Sequence, residues 1–194
     1  MANYKPVQCN GVFIAVMLSE QIVPGTFAFA LNHLVDNELD LSALDARFNN
    51  DITGASAFDP RVMLKIVLLG YSRGLISSRR IALACEQDVQ FMAISGDSRP
   101  SFSHIAKFVR NLQDVIQPVF KQVLLICDAQ GLIGKEMFAI DGVKFAVFAD
   151  IRYNKQLNRF TLRGKAKVNA QWHLYCLVHN IEKIATVGPQ VRLQ

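Results

Sequence analysis

The sequence predicts a mainly α protein: a helical amino-terminal domain containing a helix-turn-helix, then one or two strands and a terminal helix. Three observations predict it. Apolar residues recur at helical spacing through most of the chain, in runs opened by Ser, Thr or Asp and several closed by Gly. Short β-like runs are confined to residues 137–141 and 145–149. The 194 residues are 51% hydrophobic and 19% charged, a globular balance with enough chain for one or two domains. We place the boundary so that residues 1–132 form the helical domain and residues 133–194 the second part.

Residues 1–25 read as irregular, ending at Pro24-Gly25. Thr26 caps a helix from 27 to about 37, whose Phe27, Ala30, Leu31, Leu34 and Val35 follow the helical period. Residues 38–58 are acidic, then loop-like. Asp59-Pro60 is a cap followed by proline at the first helical position, and opens a helix to about Arg73. That helix is apolar nearly all round, so it belongs in the centre of the fold, and Gly74 stops it. Ser77 or Ser78 starts the next helix, through about Gln87, with Ile81, Ala84 and Cys85 inward. A short segment over 89–94 and a turn over 95–100 follow. Short helices joined by a glycine turn and a serine cap fit a helix-turn-helix, although any small helical bundle uses the same punctuation.

Ser101 opens the longest helical stretch, up to Gln130. Its apolar residues Phe102, Ile105, Val109, Leu112, Ile116, Val119, Val123 and Ile126 step by threes and fours. Such a heptad stripe wants a partner helix, in this chain or in a second subunit. Pro118 is expected to kink or split the helix near Gln117. After the strand residues, 151–167 are basic and turn-rich. A final amphipathic helix over about 168–185 is expected to bury Trp172, Tyr175, Val178 and Ile181.

Net charge is +5, unevenly spread. Residues 1–60 carry −5, residues 61–140 carry +4 and residues 141–194 carry +6. An acidic front and basic remainder point to a polyanion as partner for the middle and back. Four scattered cysteines, Cys9, Cys85, Cys127 and Cys176, form no Cys-x-x-Cys pair and read as reduced thiols of a cytoplasmic protein. His173 and His179 lie six positions apart, on different faces of one helix, so no metal site is expected there. No apolar run reaches the ~18–20 residues of a membrane span, so no membrane partner is expected. Lys5, the apolar run over 12–18 and Ala28-Phe-Ala30 imitate a secretory signal, but Glu20 and Pro24 interrupt it.

Three groups of residues carry candidate chemistry. Arg73, Ser78, Arg79 and Arg80 surround the first turn. Arg99, Ser101, Ser103, His104, Lys107 and Arg110 surround the start of the long helix. A helix amino terminus with hydroxyls and flanking cations suits DNA phosphates, and equally reads as a capped, solvated helix face. Arg152, Lys155, Arg159, Arg163, Lys165 and Lys167 form a basic run with Tyr153 and Phe160 interleaved and no acid among them, a composition suited to a nucleic-acid backbone. Finally, Asp141 ends an apolar strand beside Gly142, where a carboxylate can ligate Mg²⁺. Two-metal chemistry needs several carboxylates, and after Asp141 the chain offers only Asp150 and Glu182, the latter expected to face solvent.

Several stretches together resemble the DDE transposases of bacterial insertion sequences. They are Pro24-Gly-Thr-Phe-Ala-Phe-Ala-Leu-Asn-His-Leu-Val-Asp36, Phe58-Asp-Pro60 with Leu64-Lys-Ile66, Gly70-Tyr-Ser-Arg-Gly-Leu-Ile-Ser-Ser-Arg79, Ala84-Cys85, Phe91-Met-Ala-Ile-Ser-Gly-Asp97 and Met137-Phe-Ala-Ile-Asp-Gly-Val-Lys144. These resemble that family's amino-terminal DNA-binding region running into its first catalytic strand. Val147-Phe-Ala-Asp-Ile-Arg-Tyr-Asn-Lys155, Arg159-Phe-Thr-Leu-Arg-Gly164 and Leu177-Val-His-Asn180 resemble its extreme carboxy-terminal end.

The resemblance implies an RNase H-like α/β catalytic domain in which an Asp-Asp-Glu triad holds two Mg²⁺ ions. Residues 133–194 would then be a remnant of that domain. Asp141 matches the first acid and the family's metal ligand. The region bearing the second acid is absent, and Phe145 stands where the third is expected. Arg152 keeps the basic residue seven positions further on. The chain thus reads as internally deleted near 143–146, with no functional Mg²⁺ site. It implies a DNA-binding protein for terminal inverted repeats that does not cut. The alternatives are an active Mg²⁺-dependent nuclease using Asp141 and a substitute acid, or a partner that joins full-length transposase, or itself, through the heptad stripe and poisons the multimer.

Overall fold

A computed structural model describes residues 15–45, 57–132 and 150–187. The strands expected over 137–141 and 145–149, the carboxylate Asp141, Phe145 and Cys9 lie outside the described residues. Within them the chain is helical, with no strand.

Helix α1 (Phe27–His33) begins as the sequence dictates: Thr26 accepts a hydrogen bond from the Phe29 amide at 3.2 Å. It runs straight on into a π turn over Leu34–Glu38, where the Asn37 side-chain amide donates to the His33 carbonyl at 3.0 Å. Ala28, Leu31, Leu34 and Val35 are buried. A short α2 (Ser42–Asp45) follows in the acidic stretch, where the sequence predicts no particular element.

Helix α3 (Pro60–Ser72) is the axis of the molecule. Asp59 caps it by accepting from the Arg61 amide at 2.7 Å, with Pro60 in its first position. Every residue from Met63 to Tyr71 is buried. Around α3 pack α1, α4 (Ser78–Gln87), α5 (Val89–Ser95) and α6 (Phe102–Asn111). Two residues in α3 are not apolar packing units. Lys65 is 6% exposed and sends its ammonium to Asp36 at 2.6 Å and to the Asn32 side chain at 2.7 Å. This pins α3 to α1 and its π turn. Gly70 lets α4 approach: a Cβ there would stand 2.8 Å from Cγ1 and 2.9 Å from Cδ1 of the buried Ile81. Gly70→Ala gains helix propensity of about 1 kcal/mol, yet overpacking costs about 1–3 kcal/mol. We expect a net loss for Ala and a larger one for Val, read as a lower urea midpoint at unchanged slope.

The long helix expected over 101–130 is two helices. α6 ends at Asn111, a 3-10 turn spans Leu112–Asp114, and α7 (Ile116–Ala129) follows. The break falls earlier than expected, and Pro118 explains it. Its ring would clash with the carbonyl four residues back and it has no amide to donate. Restarting at Ile116 places Pro118 in the first turn of α7, where amides lack helical partners anyway. The heptad stripe finds its cover within this chain: Ile105, Val109, Leu112, Ile116, Val119 and Val123 are buried in this fold.

The last helix, α8 (Lys165–Val187), starts one turn before the sequence suggests. It packs against α7, α3 and α1, and buries Leu174, Tyr175, Leu177, Val178 and Ile181. Tyr175 meets Tyr71 of α3 with ring centroids 4.9 Å apart. Trp172, expected inside, is only half-buried. Glu182, expected to face solvent, holds an ion pair with Lys155. Residues on both sides of position 132 therefore share one hydrophobic core.

Candidate nucleic-acid interface

The turn between α3 and α4 needs its glycine. Gly74 has φ +69°, and the Gln156 side chain and the Asn154 carbonyl crowd it, 3.2–3.4 Å from where a Cβ would lie. The turn that opens α4 thus touches the basic segment from the other end of the chain. A second contact reinforces this. A cleft of about 300 Å³ opens between Ser77 and Ser78 of the α4 start, Ala106 and Arg110 of α6, and Thr161 and Leu162, with Tyr71 in its wall.

Each candidate cation has a definite place. Arg79 and Arg80 are exposed in the first turn of α4, and the Arg79 guanidinium lies over the Phe102 ring at 5.1 Å. Lys107 and Arg110 are exposed on α6. Arg73 is instead engaged in the fold. It pairs with Asp88, donates to Gln90 and covers the Phe91 ring at 5.4 Å, tying the end of α3 to the start of α5. Arg99 pairs with Asp97 at 3.1 Å. Ser101 is the expected cap residue, but its hydroxyl bonds the Ser103 hydroxyl and the His104 ring, each at 2.8 Å, and no backbone amide. His104 also stands edge-on to Phe58 at 5.3 Å.

The basic segment divides by direction. Arg152, Arg159, Arg163 and Lys165 are exposed and Lys167 is half-buried. Lys155 is 1% exposed, with its ammonium 2.8 Å from Glu182. It therefore anchors the segment instead of facing outward beside its neighbours. Gln171 of α8, fully buried, does the same at the other end. Its carbonyl oxygen accepts from the Thr161 and Leu162 amides at 3.0 and 3.3 Å, and its amide donates to the Thr161 hydroxyl at 2.9 Å. The signal that could have revealed Gln171 is a polar residue in the buried stripe of an amphipathic helix, which must find partners.

The thiols among the described residues are not activated. Burial pushes the Cys85 thiol up to about 11, helped by Glu86 and Asp88. It raises Cys176 to about 11, and raises Cys127 as well. All three are free thiols. Burial also lifts Tyr71 to about 12, against the hydrogen bond from Gln171. Among the described residues no three His, Cys, Asp or Glu side chains cluster as metal ligands. Those residues do not fit a two-Mg²⁺ centre, which needs converging carboxylates. No helix among them is long and apolar enough to cross a membrane.

Comparison with known families matches both ends of this arrangement. Residues 16–111, covering α1 to α6, match the transposase domain (DUF772). Residues 145–185, covering the basic segment and most of α8, match the transposase DDE domain. No curated protein and no solved structure matches the chain. Two transposase matches in their expected order, on segments that pack into one core, place this chain in the DDE transposase family of insertion sequences.

Proposed function

We propose that this chain binds double-stranded DNA at insertion-sequence ends and does not cut it. The observation that carries the reading is the joining of two basic elements. Helices α4 and α6, on which Arg79, Arg80, Lys107 and Arg110 are exposed, meet a segment bearing Arg152, Arg159, Arg163 and Lys165 through the Gly74 turn and the cleft at Thr161 and Leu162. In this reading α3, its glycine turn and α4 act as the helix-turn-helix, and the exposed arginines neutralise phosphates. Phosphate contacts supply most of the affinity and make it salt-dependent.

Inactivity is argued from the residues. The family's chemistry is generally Mg²⁺-dependent. Against its pattern this chain keeps Asp141, lacks the stretch bearing the second acid and has Phe145 in place of the third. One carboxylate holds no pair of ions.

Fluorescence anisotropy on terminal inverted repeats and on a scrambled duplex, across a salt series, tests the binding. We expect tighter binding to the repeats. Arg80→Ala and Arg110→Ala should each weaken both complexes and lower the salt slope by about 1. Lys155→Met should leave the slope unchanged. Affinity that ignores salt, or a slope that these arginines do not move, opposes the reading. A Mg²⁺-dependent nick in supercoiled plasmid that disappears in Asp141→Ala opposes inactivity.

A further inference from the structure

Resting on that DNA-binding reading, we propose that residues 152–163 form a stacking platform for unpaired bases. The protein then prefers duplex DNA carrying a single-stranded tail over blunt duplex. Tyr153 is 77% exposed and Phe160 39% exposed. The backbone that carries them is nevertheless fixed. Ile151 and Lys155, on either side of Tyr153, are buried, with Lys155 held at 2.8 Å by Glu182. Directly after Phe160, the Thr161 and Leu162 amides are held by Gln171. Both rings project from anchored chain, which lowers the ordering cost of using them.

Neither ring is an isolated surface aromatic. Exposed Arg152 precedes Tyr153 and exposed Arg159 precedes Phe160, and no acid occurs from residue 151 to 181. Open aromatic faces alternating with cations are what a single strand uses: phosphates meet the cations and bases stack on the rings, whatever their sequence. Inside a blunt duplex the base faces are stacked on each other and offer these rings nothing. The platform therefore discriminates by strandedness, and the cations of α4 and α6 do not.

The test uses the 194-residue chain and three labelled probes of scrambled sequence: a blunt duplex, the same duplex with an eight-nucleotide 3′ tail, and the tail alone. We expect the tailed duplex to bind about tenfold tighter than the blunt one, the size of one stacked base. Tyr153→Ala should remove that preference without changing blunt-duplex affinity or the melting midpoint, Tyr153→Trp should retain it, and Phe160→Ala should reduce it. Equal wild-type affinity for blunt and tailed duplexes overturns the platform, as does a Tyr153→Ala loss of the same size on both. Either outcome leaves the DNA-binding reading standing if Arg80→Ala still weakens blunt-duplex binding. Failure of the wild-type chain to bind any probe overturns both.

Discussion

Ending the chain at residue 132 is expected to abolish cooperative folding. The fragment keeps every helix from α1 to α7 but loses α8, which lies against α1, α3 and α7. With it go Leu174, Tyr175, Leu177, Val178 and Ile181, each fully buried. Truncating one such side chain to alanine costs about 2–5 kcal/mol. A whole domain is stable by only about 5–15 kcal/mol. Removing five at once exceeds that margin and uncovers Tyr71 and the faces of α1 and α7 that α8 lies against. Thermal melting by circular dichroism should show a broad, weak transition for residues 1–132 and a sharp one for the full chain. Adding residues 150–187 as a separate peptide should restore protection from protease. A sharp transition in the fragment would establish residue 132 as a true domain boundary.

Two substitutions at the pin between α1 and α3 should have very unequal consequences. Asp36→Ala leaves the buried Lys65 ammonium with the Asn32 side chain and without its counter-charge. Breaking a buried pair costs about 3–5 kcal/mol, and since the Asp36 side chain is 41% exposed we expect the low end, about 3 kcal/mol. Lys65→Met removes the charge that burial penalises and leaves Asp36 able to hydrate, so stability should stay within about 1 kcal/mol of wild type. Urea denaturation of both single variants and the double variant checks this. If the pin acts as described, the double variant matches Lys65→Met. Equal losses in the two single variants would mean that the pair contributes by attraction and not by avoiding an orphaned charge.

The parts of this fold that were legible in the sequence are those that local chemistry decides. Asp59-Pro60, Thr26 and Gly74 each act on neighbouring backbone, and the helices they delimit lie where the spacing predicts. Pro118 was legible as a break, but its position was not, because the proline selects a first turn and not a midpoint. The inward cations were hidden. Lys65 and Lys155 look like any other lysine until Asp36 and Glu182 are brought beside them by tertiary packing. Gln171 left a trace as a polar residue in a buried stripe, but its partners Thr161 and Leu162 sit in an irregular segment whose path only the fold sets. The stripe over residues 105–123 was read correctly as a stripe, but sequence periodicity does not say whose helix covers it. Asp141, the residue that drew the family resemblance toward catalysis, lies outside the described residues, so the legible part of the interface is its cations.

The place of α8 sets the order in which this protein can come into being. Its partners α1, α3 and α7 are all made before it. At roughly 5–20 residues per second, ribosomes take several seconds to pass from the end of α7 to the end of α8. For that interval the nascent chain carries apolar faces that nothing yet covers, and helices formed by local contacts wait for a long-range one. Such a chain is expected to need holding chaperones during synthesis, and its yield in a cell should depend on them more than its final stability suggests.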